Sequence, residues 1–262
     1  MMIKGVILDV DGTVVRGDEA LPGAREGLDW IREAGLRRLF VSNNPTKEPA
    51  AYERRFARAG FEVAVDEVLT AATVTTRYLA ERHGDDRHYV VGEEGLRSIL
   101  REAGLDVTAD PAEATVLVAS IDRAFDYDEL CVAMRVLREE SVPFVGTDPD
   151  MVIPAAEGDV PGSGAVIHAI AGVVGRDPDA VLGKPSAFAR DLVQSRIGLD
   201  PGECLVVGDR LDTDIAMGAD AGMKTGLVRT GVTDEATLAG SAVEPDYVLD
   251  SLSDLPGIDE FA

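Results

Sequence analysis

Asp9 and Asp11 stand one residue apart at the end of the apolar run Val6-Ile7-Leu8, followed directly by Gly12 and Thr13. Such a run reads as a strand buried on both faces, and a strand period of two sends both carboxylates off the same side of its end. Two like charges about 5 Å apart repel by roughly 3 kcal/mol at an effective dielectric near 20. A divalent cation or an acid/base task must therefore keep them there, and hard Mg²⁺ with its preference for oxygen ligands suits the pair. Gly12 permits a tight turn just beyond. Thr13 either orients Asp11 or satisfies that turn.

Three further groups have the types for the same chemistry. Ser42-Asn43-Asn44-Pro45 ends a second strand pattern; its short donors and free amides suit phosphate oxygens, and equally suit a turn or a helix cap. Gly183-Lys184-Pro185 puts one of only four lysines ahead of a helix, where the dipole disfavours a cation, so an anion-holding role competes with simple exposure. Gly208-Asp209-Arg210-Leu211-Asp212-Thr213-Asp214 follows the apolar strand Cys204–Val207. Asp212 and Asp214 can serve as first-turn acids of the next helix, whereas Asp209 precedes it and is best placed to face a metal.

Elements that position these groups alternate along the chain. Strand patterns at Lys4–Leu8, Leu36–Val41, His88–Val91, Val116–Ala119, Val142–Val145, Cys204–Val207, Thr225–Val228 and Tyr247–Leu249 are separated by helical ones. Helices stop at Gly35, Gly60 and Gly104 after similar tails, as left-handed caps require. The alternation predicts an α/β fold, a doubly wound, mainly parallel sheet covered by helices. The chemical groups lie before about residue 50 and after about residue 180. That distribution predicts a core formed by residues 1–79 and 180–262, interrupted by an inserted α/β domain at 80–179.

Composition narrows the partners. With 48 acidic against 25 basic residues the net charge is −23, which repels nucleic acid and anionic membrane surfaces. No apolar stretch reaches the ~20 residues that span a bilayer. The first strand begins at once, leaving no room for a signal peptide, so the expected location is the cytoplasm. Cys131 and Cys204 read as free thiols, and His83, His88 and His168 lack zinc spacing. The acidic coat is similar to that of proteins from salt-accumulating cells, where high ionic strength screens self-repulsion.

In their order, the four groups resemble the motifs of the haloacid dehalogenase superfamily of phosphatases. Asp9-x-Asp11-Gly12-Thr13 looks like the first, Ser42 the second, Lys184 the third and Gly208-Asp209-x4-Asp214 the fourth. Asp122-x2-Phe125-x-Tyr127, Gly146-Thr147-Asp148-Pro149-Asp150 and Pro161-Gly162-x-Gly164 are similar to the NagD-like, 4-nitrophenylphosphatase group, whose α/β cap lies between the second and third motifs. Members often carry Asn where this chain has Asp148. The resemblance implies a Rossmann-like core with a cap over the site, and a Mg²⁺-dependent phosphatase of small-molecule phosphate esters acting through an aspartyl-phosphate. It implies Asp9 as nucleophile and metal ligand. Asp11 is implied as general acid and base with its backbone carbonyl on the metal, and Asp209 as the remaining ligand. Asp214, and more weakly Asp212, support that shell; Ser42 and Asn43 hold the phosphoryl group; Lys184 neutralises it. A phosphomutase or a non-catalytic binding protein on the same fold are the alternatives. A homodimer paired through caps is compatible with the family.

Overall fold

The computed structural model describes residues 2–155 and 158–261. The chain forms two compact units. One gathers Met1–Ser42, Pro49–Leu69 and Lys184–Ala262; the other gathers Asn43–Glu48 and Thr70–Gly183. The division falls near 70 and 183, whereas the motif distribution places it at 80 and 179. The reason is local. Thr70 accepts from Thr73 N to cap the helix Ala71–Arg82, which therefore starts ahead of residue 80. Ala72 N in turn donates to the Asn44 carbonyl, drawing residues 43–48 into the same unit.

In the first unit six strands form one sheet. Gly5–Asp9 pairs in parallel with Arg37–Ser42 on one side and Cys204–Gly208 on the other, and Lys224–Val228 and Tyr247–Leu249 continue in parallel beyond the latter. Val68–Thr70 lies outside Arg37–Ser42. Numbered along the chain, the strand order is 3-2-1-4-5-6, which reverses between Gly5–Asp9 and Cys204–Gly208. The carboxyl ends of strands at such a switch point are where open α/β sheets bind ligands. Both strands are wholly buried. Val6, Ile7, Leu8, Leu205 and Val207 each contribute about 1.5–3 kcal/mol by leaving water, and this buried floor fixes the strand ends.

The helix Pro49–Arg58 opens with proline at its first position and ends with two arginines, both favourable placements. Tyr52 and Phe56, one turn apart, are its buried face, with Phe56 against Phe40 at 4.7 Å between ring centroids. A short hairpin, Val15–Arg16 with Glu19–Ala20, follows the first strand.

The second unit has its own parallel sheet of five strands: Arg87–Val91, Asp106–Val107, Val116–Ala119, Phe144–Gly146 and Ala180–Val181, in the order 2-1-3-4-5. Its core is Val91, Leu117, Ala119, Phe144, Ile167 and Ile170, with the helices Tyr127–Val136 and Ser163–Val174 supplying part of it. Of the Gly- and Pro-rich stretch 147–164, residues 156 and 157 lie outside the described residues. No helix among the described residues is long and apolar enough to cross a membrane.

Candidate active site

Asp9 is the last residue of the first strand, level with Val41 on its neighbour. Its Oδ1 accepts from Lys184 Nζ at 2.5 Å and its Oδ2 from Thr13 Oγ1 at 3.2 Å. Lys184 Nζ also donates to Asp214 Oδ1 at 2.6 Å and to the Val41 carbonyl at 3.0 Å, so all three ammonium protons have acceptors. The lysine is 3% exposed. The helix Ala187–Ile197 that follows starts at Ser186, whose Oγ accepts from Ala189 N; the cap lets the chain enter the helix with Lys184 left outside it.

Asp209 leaves the fourth strand beside Asp9. Its Oδ2 accepts from Val232 N at 2.9 Å, and its own carbonyl accepts from Thr233 Oγ1 at 2.6 Å. Gly12 has φ +91°, and a Cβ there, or on Gly231, would run into the Asp209 carboxylate. Glycine at both places leaves the cradle in which this side chain lies. Asp214 is delivered by a wide π-helical turn, Leu211–Ile215, ahead of the short helix Ala216–Asp220; such turns recur at functional sites. Its Oδ2 accepts from Arg210 N at 3.1 Å.

Asp9, Asp209 and Asp214 each bring a carboxylate oxygen within 4.8 Å of the others. Burial, above all, pushes the Asp9 carboxyl well above its ordinary value; Asp214 and Asp209 add to this and Lys184 opposes it. Burial and then the Asp214 charge push Asp209 up to about 7. Burial works to lower the Lys184 ammonium, but Asp214 and Asp9 outweigh it and hold the group charged. One ammonium thus faces three crowded acids. A set of oxygen donors with excess negative charge fits a hard divalent cation.

The structure separates other expected members from this cluster. The Asp11 carboxylate lies outside the group of Asp9, Asp209 and Asp214; it is held by both oxygens on Arg55, at 2.5 and 3.0 Å. Strand alternation ends at Asp9, because Val14 N and Val15 N both donate to the Val10 carbonyl and Gly12 turns the chain. Thr13 orients Asp9 rather than Asp11. Asp212 points outward to Arg210 and is absent from the carboxylate group. Asp214, expected behind the shell, is one of its three members. Ser42 Oγ lies 2.8 Å from the buried Tyr52 hydroxyl. Asn43, in the second unit, donates to Asp150 Oδ1 at 3.2 Å.

Sequence reasoning missed Thr230, Gly231, Val232 and Thr233, which grip Gly12 and Asp209, and it missed Tyr52 and Arg55. For the first group the available signal was the run Thr230-Gly231-Val232-Thr233 just past the strand Lys224–Val228. For the second it was a tyrosine and an arginine three apart on one helix.

Strand order, switch point and a lysine among three crowded acids together define a Rossmann-like α/β protein with a candidate catalytic site at the carboxyl ends of its strands. Residues 6–106 match the sequence model of the haloacid dehalogenase-like hydrolases, and residues 181–255 match a second, HAD-hydrolase-like model. The sugar-phosphatase AraL of Bacillus subtilis is 33% identical over 98% of this chain and 93% of its own length. The p-nitrophenyl phosphatase of Archaeoglobus fulgidus is 36% identical and superposes with a TM-score of 0.90, covering 97% of this chain and 98% of that one. NagD from E. coli K-12 does so at 30% identity and a TM-score of 0.86, over 99% and 100%. The chain belongs to the haloacid dehalogenase-like hydrolase family.

Proposed function

We propose that this protein hydrolyses small phosphate monoesters, with the phosphoryl group carried transiently on Asp9. The observation that carries the reading is Lys184 Nζ seated between Asp9 and Asp214 at the switch point of the sheet. Relatives named as a sugar phosphatase, a 5'-nucleotidase and a p-nitrophenyl phosphatase support it.

Phosphoryl transfer asks for in-line positioning and charge stabilisation more than for elaborate bond-making. Thr13 and Lys184 fix the Asp9 carboxylate, one oxygen each, so the nucleophile is already oriented when an ester arrives. An Asp9 oxygen attacks phosphorus, the ester P–O bond breaks, and the leaving oxygen takes a proton from Asp11. Asp11 then accepts a proton from water as the water attacks phosphorus; the Asp9–phosphorus bond breaks, and inorganic phosphate and the free carboxylate result. Dividing one displacement into two lowers each barrier. Lys184 neutralises the incoming phosphoryl charge, and Ser42 offers it a hydroxyl.

Asp9, Asp209 and Asp214, with the Asp11 backbone carbonyl, would hold Mg²⁺. When bound, the ion supplies positive charge to the phosphoryl oxygens and relieves the repulsion among the carboxylates. The test is release of inorganic phosphate from a panel of sugar phosphates, nucleoside monophosphates and 4-nitrophenyl phosphate, with and without Mg²⁺. Magnesium-dependent release from at least one ester is expected. Transfer of the phosphoryl group to another hydroxyl with no free phosphate would mark a phosphomutase, and inertness toward the whole panel would contradict the reading.

A further inference from the structure

Arg55 is bound on every side. Its Nη1 and Nη2 donate to Asp11 Oδ2 and Oδ1 at 3.0 and 2.5 Å, and its Nε donates to the Gly17 carbonyl at 2.5 Å. Its guanidinium carbon lies 5.7 Å from the centroid of the Tyr52 ring. Tyr52 is itself buried, with its hydroxyl on Ser42. The arginine side chain is 17% exposed and the Asp11 side chain 55% exposed. A half-exposed carboxylate is therefore tied to a guanidinium that the surrounding chain immobilises. One turn further along the same helix, Arg58 grips Asp18 of the hairpin by both oxygens at 2.9 Å, so the helix pins the hairpin independently of Asp11.

We propose that Arg55 is a positioning residue, the pivot that restricts Asp11 to the orientation from which it serves the leaving group. The inference rests on the assignment of Asp11 as general acid. A bidentate pair occupies both carboxylate oxygens, so the acid cannot donate from the position seen here. Releasing one oxygen while the other stays on a guanidinium Nη turns the carboxyl without letting it go. Planar, two-point pairing of this kind is particular to arginine. Without Arg55 the Asp11 side chain would sample its rotamers in solvent, and the effective concentration of the acid at the ester oxygen would fall.

The experiment compares kcat/KM for 4-nitrophenyl phosphate, whose leaving group departs without a proton, with kcat/KM for an alkyl phosphate, whose leaving group needs one. In Arg55→Met the alkyl-to-nitrophenyl ratio should fall roughly tenfold, part of the ~10² to 10⁴ a positioned acid contributes. Arg55→Lys, able to hold one oxygen, should recover part of that loss. Arg58→Met should leave the ratio at its wild-type value, and adding Arg55→Met to Asp11→Asn should not lower the ratio further. Equal losses on both esters in Arg55→Met, a ratio that stays or rises, or the same shift in Arg58→Met would overturn the proposal. Failure of the phosphatase reading itself would look different: the wild-type protein would release phosphate from neither ester.

Discussion

Among single residues, Lys184 and the acids around it set the electrostatics of the site. Removing the ammonium strands Asp9 and Asp214 as buried carboxylates without their counter-charge, a loss worth about 3–5 kcal/mol in comparable buried pairs. Lys184→Met should therefore lower Tm by several degrees in metal-free buffer, and added Mg²⁺ should return part of the difference. A variant melting like the wild type in the absence of metal would contradict the electrostatic argument. The crowding also predicts proton-linked metal binding. Burial and the Asp214 charge raise Asp209 to about 7, so the metal-free site retains a proton near neutrality that a cation must displace. Apparent Mg²⁺ affinity, measured by calorimetry, should weaken as pH falls from 8 to 6; a flat profile would refute the shifts.

At the scale of elements the loop after Phe144–Gly146 carries the clearest consequence. Asp148 is 2% exposed and is pushed up to about 8, first by burial and then by the Asp150 charge, against hydrogen bonds from Ser163 and Thr147. The folded state thus holds a proton that the unfolded chain releases above pH ~4. Stability linked to this group is greatest below that pH and is lost as pH rises toward 8. Asp148→Asn, which has no such proton to lose, should gain in Tm over the wild type, more at pH 8 than at pH 5. The stabilisation at pH 8 would be of order 2–5 kcal/mol, and an equal gain at both pH values would count against it. This scale also separates what the chain made legible from what it hid. The strands Val116–Ala119 and Tyr247–Leu249 fall where the apolar runs predict them, because a buried run needs no tertiary information to be read. The two-residue hairpin strands after Asp11 have no pattern long enough to see. The π-helical turn decides that Asp214 enters the cluster while Asp212 faces out, and the spacing of the two acids is silent about it. Similarly, Asp11 was visible as chemistry but its partner was not, since Arg55 lies 44 residues further along the chain.

Across the whole molecule, charge is the dominant property. A net −23 spread over a folded surface repels itself, and the penalty falls as the Debye length shrinks from ~10 Å at 0.1 M salt to ~3 Å at 1 M. Tm should therefore rise on moving from dilute buffer to molar KCl, through screening and apart from any effect on the buried cluster. Unfolding that is no harder in high salt would remove the basis for linking the acidic coat to a high-salt environment.

Phosphorylation of Asp9 is tested most directly by a crystal of the protein grown or soaked with Mg²⁺ and beryllium fluoride, a mimic of a phosphoryl group on a carboxylate. Density bonded to an Asp9 carboxylate oxygen is expected, with Lys184 in contact and a metal ion against Asp209. Density bonded to a different side chain, or a site that stays empty at saturating concentrations of both, would contradict it.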